Sequence, residues 1–159
     1  MTERMVIDAS VAAKWFLQDA LEPDTDLADD ILLAFLCDDL ELHAPRVFTY
    51  EVCSLLTRAC KHRLPGHNGL RLTKEKALRC ASELFGLSIR VAEATEIEAR
   101  EALEMAVEFS KTHYDMTYVR LAEQLNCQLC TADQKIDEAV PRTFPRHRIL
   151  HLAALRPAS

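Results

Sequence analysis

The sequence of 159 residues predicts an α/β domain built on a mainly parallel β-sheet. Short apolar runs, of the length of buried strands, alternate along the chain with segments whose apolar residues recur every three or four positions. Such an alternation is typical of parallel strands joined by crossover helices. The length fits one domain with a sizeable core, so we predict a single domain over residues 1–155.

Turn and capping signals bound the individual elements. The first buried run stops at Asp8, and Ser10 is predicted to cap the helix that follows it. Thr95 and Glu98 have the spacing of a capping box at the start of a later helix. The sequence between residues 64 and 69 is the strongest loop signal, and the pattern assigns no role to segment 64–72. The predicted strands are 5–7, 40–44, 89–92, 128–132 and 148–152, and the predicted helices are 11–17, 27–35, 47–62, 73–85, 95–111, 114–126 and 134–140.

Composition excludes several classes of protein. With 3 glycines and 6 prolines, the chain is neither collagen-like nor of low complexity. It has no apolar stretch of about 18 residues that could cross a membrane. It also lacks the apolar region of a signal peptide, so we expect a cytoplasmic protein. The 6 cysteines lie mostly within apolar patterns and are expected to be reduced core residues, although Cys127 and Cys130 have the spacing of a redox or metal half-motif.

The formal net charge of −6 argues against a protein that coats DNA without specificity. It does not exclude a nuclease, because an acidic metal site contributes several of those charges and bound cations offset them.

Four acidic residues, Asp8, Glu51, Asp115 and Asp133, occupy positions from which they can converge. Asp8 and Asp133 each follow a predicted strand, at the edge of a parallel sheet where ligands bind. Glu51 borders the apolar face of its helix, and Asp115 lies in the first turn of another. Each acid taken alone also has a structural interpretation. Glu51 can be a solvated glutamate, and the three aspartates can cap or start helices.

Clustered carboxylates repel one another unless one is protonated or a cation lies among them. Their hard oxygen ligands select Mg²⁺ or Mn²⁺, and such a metal promotes hydrolysis of phosphodiesters. Two other acidic-site folds do not match. A haloacid-dehalogenase phosphatase needs an aspartate at the position of Ser10, and a receiver domain needs a late lysine that is not in place. A glycine-rich ATP-binding loop is also absent.

Four segments together resemble the motifs of PIN-domain proteins, especially the VapC-type toxins of bacterial toxin–antitoxin pairs. They lie in the order of that family and span nearly the whole chain. In sequence order, the segments are VIDASVAAKW at 6–15, YEV at 50–52, HYDMTYVRLA at 113–122 and LCTADQKI at 129–136. The chain departs from the family at Met116 and Thr117, where alanine is often found after the third-motif acid, and we expect altered packing there.

The resemblance implies a three-layer α/β/α sandwich around a parallel sheet of about five strands. It also implies that Asp8, Glu51, Asp115 and Asp133 bind the metal, because the family carries its metal-binding acids at the matching positions. Ser10 and Thr131 match hydroxyl positions that often support the metal or its waters, although an N-cap and a strand residue are equally good interpretations. Toxin members of the family cleave RNA with Mg²⁺ or Mn²⁺, act as dimers and are inhibited by a cognate antitoxin.

The sequence therefore predicts a metal-dependent endoribonuclease, the toxin of a VapBC-like pair with a VapB-like antitoxin and a homodimeric state. The alternatives are a housekeeping RNA-processing PIN nuclease and a noncatalytic PIN interaction module. The presence of all four acids argues against the noncatalytic alternative. An adjacent gene for a small DNA-binding antitoxin distinguishes the toxin from the processing enzyme.

An acidic protein that binds RNA needs cationic side chains for the phosphates. Lys14, Arg120 and Lys135 are the candidates, since each lies within a few residues of a proposed ligand. The alternative for each is a solvated surface charge. If these three residues do not bind RNA, the alternative path runs over Arg142, Arg146 and Arg148.

Overall fold

The computed structural model describes residues 2–63, 69–139 and 148–156. Its strands form one five-stranded sheet in the order β3-β2-β1-β4-β5, and every neighbouring pair is parallel. The strands are β1 Glu3–Ile7, β2 Leu40–Pro45, β3 Arg90–Ala92, β4 Gln128–Thr131 and β5 Ile149–His151. The predicted parallel sheet of about five strands is confirmed.

The helices agree with the sequence prediction to within a few residues at their ends. They are α1 Ala9–Ala12, α2 Thr25–Leu36, α3 Val47–Ala59, α4 Lys74–Gly86, α5 Glu96–Phe109, α6 His113–Gln124 and α7 Gln134–Ala139. The capping box of Thr95 and Glu98 is confirmed at the start of α5. The prediction that Ser10 caps the first helix is wrong, because that helix begins at Ala9 and continues into a 3₁₀ turn over Ala13–Trp15.

Three consecutive residues of β1 show that the sheet is covered on both faces. Met5, Val6 and Ile7 point alternately to opposite faces, yet all three are buried. Right-handed crossovers place α1 to α4 on one face and α5 to α7 on the other. This arrangement is the expected three-layer α/β/α sandwich.

The order of the strands creates a crevice beside β1. The chain moves from β1 outward to β3, then returns to the other side of β1 for β4 and β5. The carboxyl ends of β1 and β4 therefore meet where the strand order reverses, and this is the position at which open α/β sheets bind their ligands.

A small network of ion pairs fastens the loop between α1 and α2. The guanidinium group of Arg71 donates to Asp19 at 2.7 and 3.1 Å and to Glu22 at 2.9 Å. Lys14 donates to the other carboxylate oxygen of Glu22 at 2.8 Å. Through Arg71, the segment 64–72 thus binds the loop between α1 and α2. Residues 64–68 lie outside the described residues.

None of the described helices is long and apolar enough to cross a membrane. All six cysteines are free thiols, but the expectation that they are core residues holds fully only for Cys130, since Cys37 is exposed and the other four are half-buried. Burial, together with the charge of Asp8, raises the pKa of the Cys130 thiol to about 12. Cys130 is therefore a protonated core residue at neutral pH.

Candidate active site

The site lies at the carboxyl ends of β1 and β4. Asp8 follows β1 directly, and its backbone N–H donates to the carbonyl of Cys130 on β4 at 3.0 Å. Asp133 lies two residues beyond the end of β4. Because β1 and β4 are parallel neighbours, the two aspartates leave the sheet at the same edge.

Two hydroxyl groups connect Asp8 to the chain that follows β4. Ser10 and Thr131 both donate to Oδ2 of Asp8, Thr131 at 2.8 Å. Each hydroxyl also accepts a backbone hydrogen bond of 3.0 Å, Ser10 from Ala132 and Thr131 from Asp133. Each hydroxyl group therefore bridges the Asp8 carboxylate and the backbone of residues 132–133, and the two bridges hold the carboxylate in one orientation relative to the segment that carries Asp133.

Asp8 is buried, with 6% of its surface exposed. Burial raises the pKa of its carboxyl group, the hydrogen bonds from Ser10 and Thr131 oppose this effect, and the nearby charge of Asp133 adds to it. A buried carboxylate of this kind is costly without a positive partner. The helix-cap interpretation of Asp8 is not supported, because its side chain makes no capping hydrogen bond.

Glu51 reaches the site from α3. Its carboxylate accepts a hydrogen bond of 2.5 Å from the hydroxyl of Tyr118, a fully buried residue of α6. Burial raises the pKa of Glu51, the Tyr118 hydrogen bond opposes the rise, and the charges of Asp8 and Asp115 add to it. Glu51 is therefore a half-buried group held beside other acids and not a freely solvated glutamate.

Asp115 lies in the first turn of α6, as predicted. Its backbone N–H is bonded to the hydroxyl of Thr112, the N-cap residue of α6, at 3.1 Å. Since Thr112 supplies the cap, the side chain of Asp115 is not needed to begin the helix. Its negative charge acts on Glu51 across the space between α6 and α3.

Asp133 combines a structural role with a position at the site. Its Oδ1 atom accepts a hydrogen bond of 2.9 Å from the backbone N–H of Lys135, so the carboxylate does cap the start of α7. The same side chain raises the pKa of Asp8 through its charge. Capping and participation in an acidic cluster are therefore compatible for this residue.

The donor set at this edge fits a hard divalent cation by its chemistry. Charge interactions link Asp8 to Asp133, and Glu51 to Asp8 and Asp115. None of these four acids forms an ion pair within the described part of the chain. Carboxylate oxygens and hydroxyls are the ligands that Mg²⁺ and Mn²⁺ accept. No three His, Cys, Asp or Glu side chains among the described residues are close enough to enclose an ion as they lie.

The family model for the PIN domain matches residues 5–140, which is most of the chain. The chain belongs to the PIN-domain family. The ribonuclease VapC3 of Pyrobaculum aerophilum is 26% identical over 140 residues, which are 87% of this PIN domain and 95% of the relative.

Solved structures show the same fold. VapC20 of Mycobacterium tuberculosis, a toxin that cleaves the sarcin–ricin loop, superposes on this PIN domain with a TM-score of 0.61 and 18% identity, covering 85% of this chain and 94% of the other. A chain of VapBC2 from Rickettsia felis, bound to a DNA fragment from its promoter, gives a TM-score of 0.60 and 11% identity over 93% and 98% of the two chains. The resemblance to VapC-type proteins is thereby confirmed.

The three predicted RNA-binding cations occupy different environments in the PIN domain. Lys14 is buried, and its ammonium group is held by Glu22 and by the carbonyl of Pro23 at 2.9 Å, so the geometry does not support a contact with RNA. Arg120 is mostly buried and bonded to Glu101. Lys135 is exposed two residues after Asp133 and is the best placed of the three.

The alternative cationic path is not supported by its one described residue. Arg148 donates to Asn126 at 2.7 Å. Both residues precede their strands, β5 and β4, and so lie at the amino edge of the sheet, opposite the acids. Arg142 and Arg146 lie outside the described residues.

Tyr118 is a site residue that the sequence reasoning did not select. Tyr118 belongs to the third motif, and its position three residues after Asp115 places both side chains on the same face of α6. A tyrosine at helical spacing from an acid is also an ordinary core residue, so the pattern alone cannot distinguish the two. Its hydrogen bond to Glu51, 67 residues away, became visible only in the fold.

Replacement of Tyr118 by phenylalanine tests this hydrogen bond. Because the hydroxyl donates to Glu51 and lowers its pKa, Tyr118→Phe is expected to raise the pKa of Glu51 further in the metal-free protein. The loss of one charge-assisted hydrogen bond should also reduce the free energy of unfolding by about 1–2 kcal/mol. NMR titration of the Glu51 side-chain carbonyl measures the first effect, and Tyr114→Phe on the same helix is the control. An unchanged titration of Glu51 would show that the bond is absent in solution.

Proposed function

We propose that this PIN domain, a single domain over residues 1–155, is a divalent-metal-dependent endoribonuclease. The observation that carries the proposal is the buried carboxylate of Asp8 at the edge of the sheet where β1 and β4 end, which interacts by charge with Asp133 and with Glu51. Glu51 interacts in the same way with Asp115, and none of the four acids has a cationic partner among the described residues. Its membership of the PIN family and its similarity to ribonuclease VapC3 support RNA as the substrate.

In this proposal the four carboxylates hold Mg²⁺ or Mn²⁺. When bound, such a cation stabilises negative charge on the phosphodiester and lowers the pKa of water. Ser10 and Thr131 hold the carboxylate of Asp8, and Tyr118 holds that of Glu51, and these hydrogen bonds would orient the two groups for binding of the cation. Groups that orient metal ligands in this way commonly affect metal affinity or activity by about 10- to 100-fold.

Metal removal tests the proposal directly. Dialysis against EDTA should reduce cleavage of RNA to background, and addition of Mg²⁺ or Mn²⁺ should restore it, because no other group among the described residues compensates the charge of the cluster. Gel analysis of end-labelled single-stranded RNA measures cleavage, and circular dichroism verifies that the apo protein remains folded. Undiminished cleavage by the folded, metal-free protein would refute the proposed role of the metal.

We further propose that the protein is the toxin of a VapBC-like pair, acting on RNA in the cytoplasm as a homodimer. The similarity to a chain of the VapBC2 complex supports a VapB-like antitoxin as the partner. A housekeeping RNA-processing enzyme would have the same active site, so the neighbouring gene must distinguish the two. Co-expression with the product of an adjacent small gene should abolish cleavage, and light scattering should give the mass of a dimer.

Lys135 provides a test of how this acidic protein holds RNA. In a cleavage-deficient Asp8→Asn background, Lys135→Ala should lower affinity for single-stranded RNA and reduce the slope of log affinity against log salt by about 0.7, the contribution of one phosphate contact. Arg120→Ala should have a smaller effect because Glu101 already pairs with that guanidinium group. Lys76→Ala, an exposed lysine of α4, serves as the control. Equal slopes for Lys135→Ala and the control would exclude Lys135 from the RNA path.

A further inference from the structure

A second concave feature lies on the same edge of the sheet, beyond the carboxyl ends of β2 and β3. It is a cavity of about 380 Å³ between α3, α5 and α6. Its volume falls near the lower end of the range of about 300–1,000 Å³ for small-molecule pockets. The lining is mostly apolar and includes Val47, Tyr50, Ala92, Tyr114, Thr117 and Leu121.

Two of the lining residues are tyrosines that are directly adjacent in sequence to proposed metal ligands. Tyr50 precedes Glu51 on α3, and Tyr114 precedes Asp115 on α6. Tyr50 and Tyr114 are 68% and 58% exposed, so both aromatic side chains are accessible to a ligand. The cavity therefore presents two accessible aromatic side chains, each one residue along its helix from a proposed ligand.

The charged groups that line the cavity have partners. The carboxylate of Glu98 accepts hydrogen bonds from the backbone N–H and the hydroxyl of Thr95. Arg46 is bonded to Glu93 at 2.7 Å, and Arg120 is bonded to Glu101. An anion would find no unpaired cation among these two residues. The features that remain are apolar surface, aromatic rings and a size suited to one small group, and these favour a planar, uncharged ligand.

We propose that this cavity binds one unstacked base of the RNA next to the bond that is cut, with the base stacked on Tyr50 and Tyr114. The inference rests on the proposed ribonuclease function and extends it to a recognition subsite. Single-stranded RNA is commonly recognised by splaying out a base onto aromatic side chains, and such stacking tolerates different bases. Because Tyr50 and Tyr114 neighbour Glu51 and Asp115, a base bound there holds the adjoining phosphate near the acids.

The experiment measures binding, so it does not depend on cleavage. In the Asp8→Asn background, single-stranded RNA hexamers carry 2-aminopurine at successive positions, since the fluorescence of this base is quenched when it stacks on an aromatic ring. One position should show strong quenching. Tyr50→Ala and Tyr114→Ala should relieve that quenching and each weaken binding by about 5- to 100-fold. Tyr50→Phe and Tyr114→Phe should preserve both signals, and Phe85→Ala, an equally exposed aromatic residue on α4, should leave them unchanged.

An abasic hexamer completes a double-mutant cycle. Removal of the base at the quenched position should weaken binding to the protein with both tyrosines, and should cost nothing further in the alanine variants. The proposal is overturned if the alanine variants bind as tightly as their parent, or if they lose equal affinity for base-containing and abasic RNA. The latter result would assign the cavity to a contact other than a base, such as an apolar side chain of a protein partner. Failure of the ribonuclease proposal would appear separately, as an absence of RNA cleavage by the wild-type protein in Mg²⁺ or Mn²⁺.

Discussion

Asp8→Asn is expected to reduce RNA cleavage by at least about 1,000-fold without loss of the fold. The metal is expected to contribute several kcal/mol to stabilising the transition state, and each 1.36 kcal/mol corresponds to a factor of ten in rate. Asparagine retains an oxygen that can accept the hydrogen bonds of Ser10 and Thr131, so the loss should reflect the charge and not the local structure. Asp115→Asn and Asp133→Asn should have the same direction of effect.

The measurement is a rate of RNA cleavage in Mg²⁺ or Mn²⁺, together with metal affinity from calorimetry. Asp30→Asn, a substitution of an exposed aspartate on α2, controls for the change in net charge. Cleavage by Asp8→Asn at the wild-type rate would show that Asp8 is not part of the active site.

The same substitution should increase the stability of the metal-free protein at neutral pH. The pKa of Asp8 is raised in the folded state, chiefly by burial, from an ordinary value of 3.8. The folded protein therefore binds a proton more readily than the unfolded chain, and the free energy of unfolding falls as the pH rises from about 4 through the raised pKa. Asparagine does not ionise, so thermal melts of the variant in EDTA should show a weaker decline over this interval.

Arg71→Ala is expected to lower the free energy of unfolding by about 2–4 kcal/mol, or the melting temperature by about 5–15 °C. The substitution removes three charge-assisted hydrogen bonds, and it leaves Asp19 and Glu22 with side chains only 17% and 19% exposed and without this cation. Two neighbouring carboxylates without Arg71 repel each other. The loop between α1 and α2 should therefore lose its attachment to residues 69–72.

Thermal unfolding followed by circular dichroism measures the effect, with Arg79→Ala as an exposed arginine control on α4. The pH dependence has a defined sign. Burial raises the pKa of Asp19, but the hydrogen bond from Arg71, the backbone hydrogen bond from Leu21 and the charge of Arg71 together lower it by more. The stabilisation is present above the ordinary pKa of about 4 and is lost as the pH falls through the lowered value. A difference between wild type and Arg71→Ala that persists unchanged in acid would contradict this account.

Local sequence patterns determined the strands and helices and the four acidic positions. The buried run before Asp8 and the run before Asp133 each identify a strand end from a few neighbouring residues. The helical periodicity around Glu51 and Asp115 depends on equally short windows. Such features can be recognised from the sequence because the residues that define them are close together in the chain.

Only the tertiary structure decided which side chains meet. Tyr118 bonds to Glu51 across 67 residues, and Thr131 bonds to Asp8 across 123, because the strand order brings β4 beside β1. Lys14, a candidate RNA contact in the sequence, is buried and pairs with Glu22, whose carboxylate is also bonded to Arg71 across 49 residues. Strand order and helix packing depend on the total burial that the whole chain achieves, and no short window of residues contains that information.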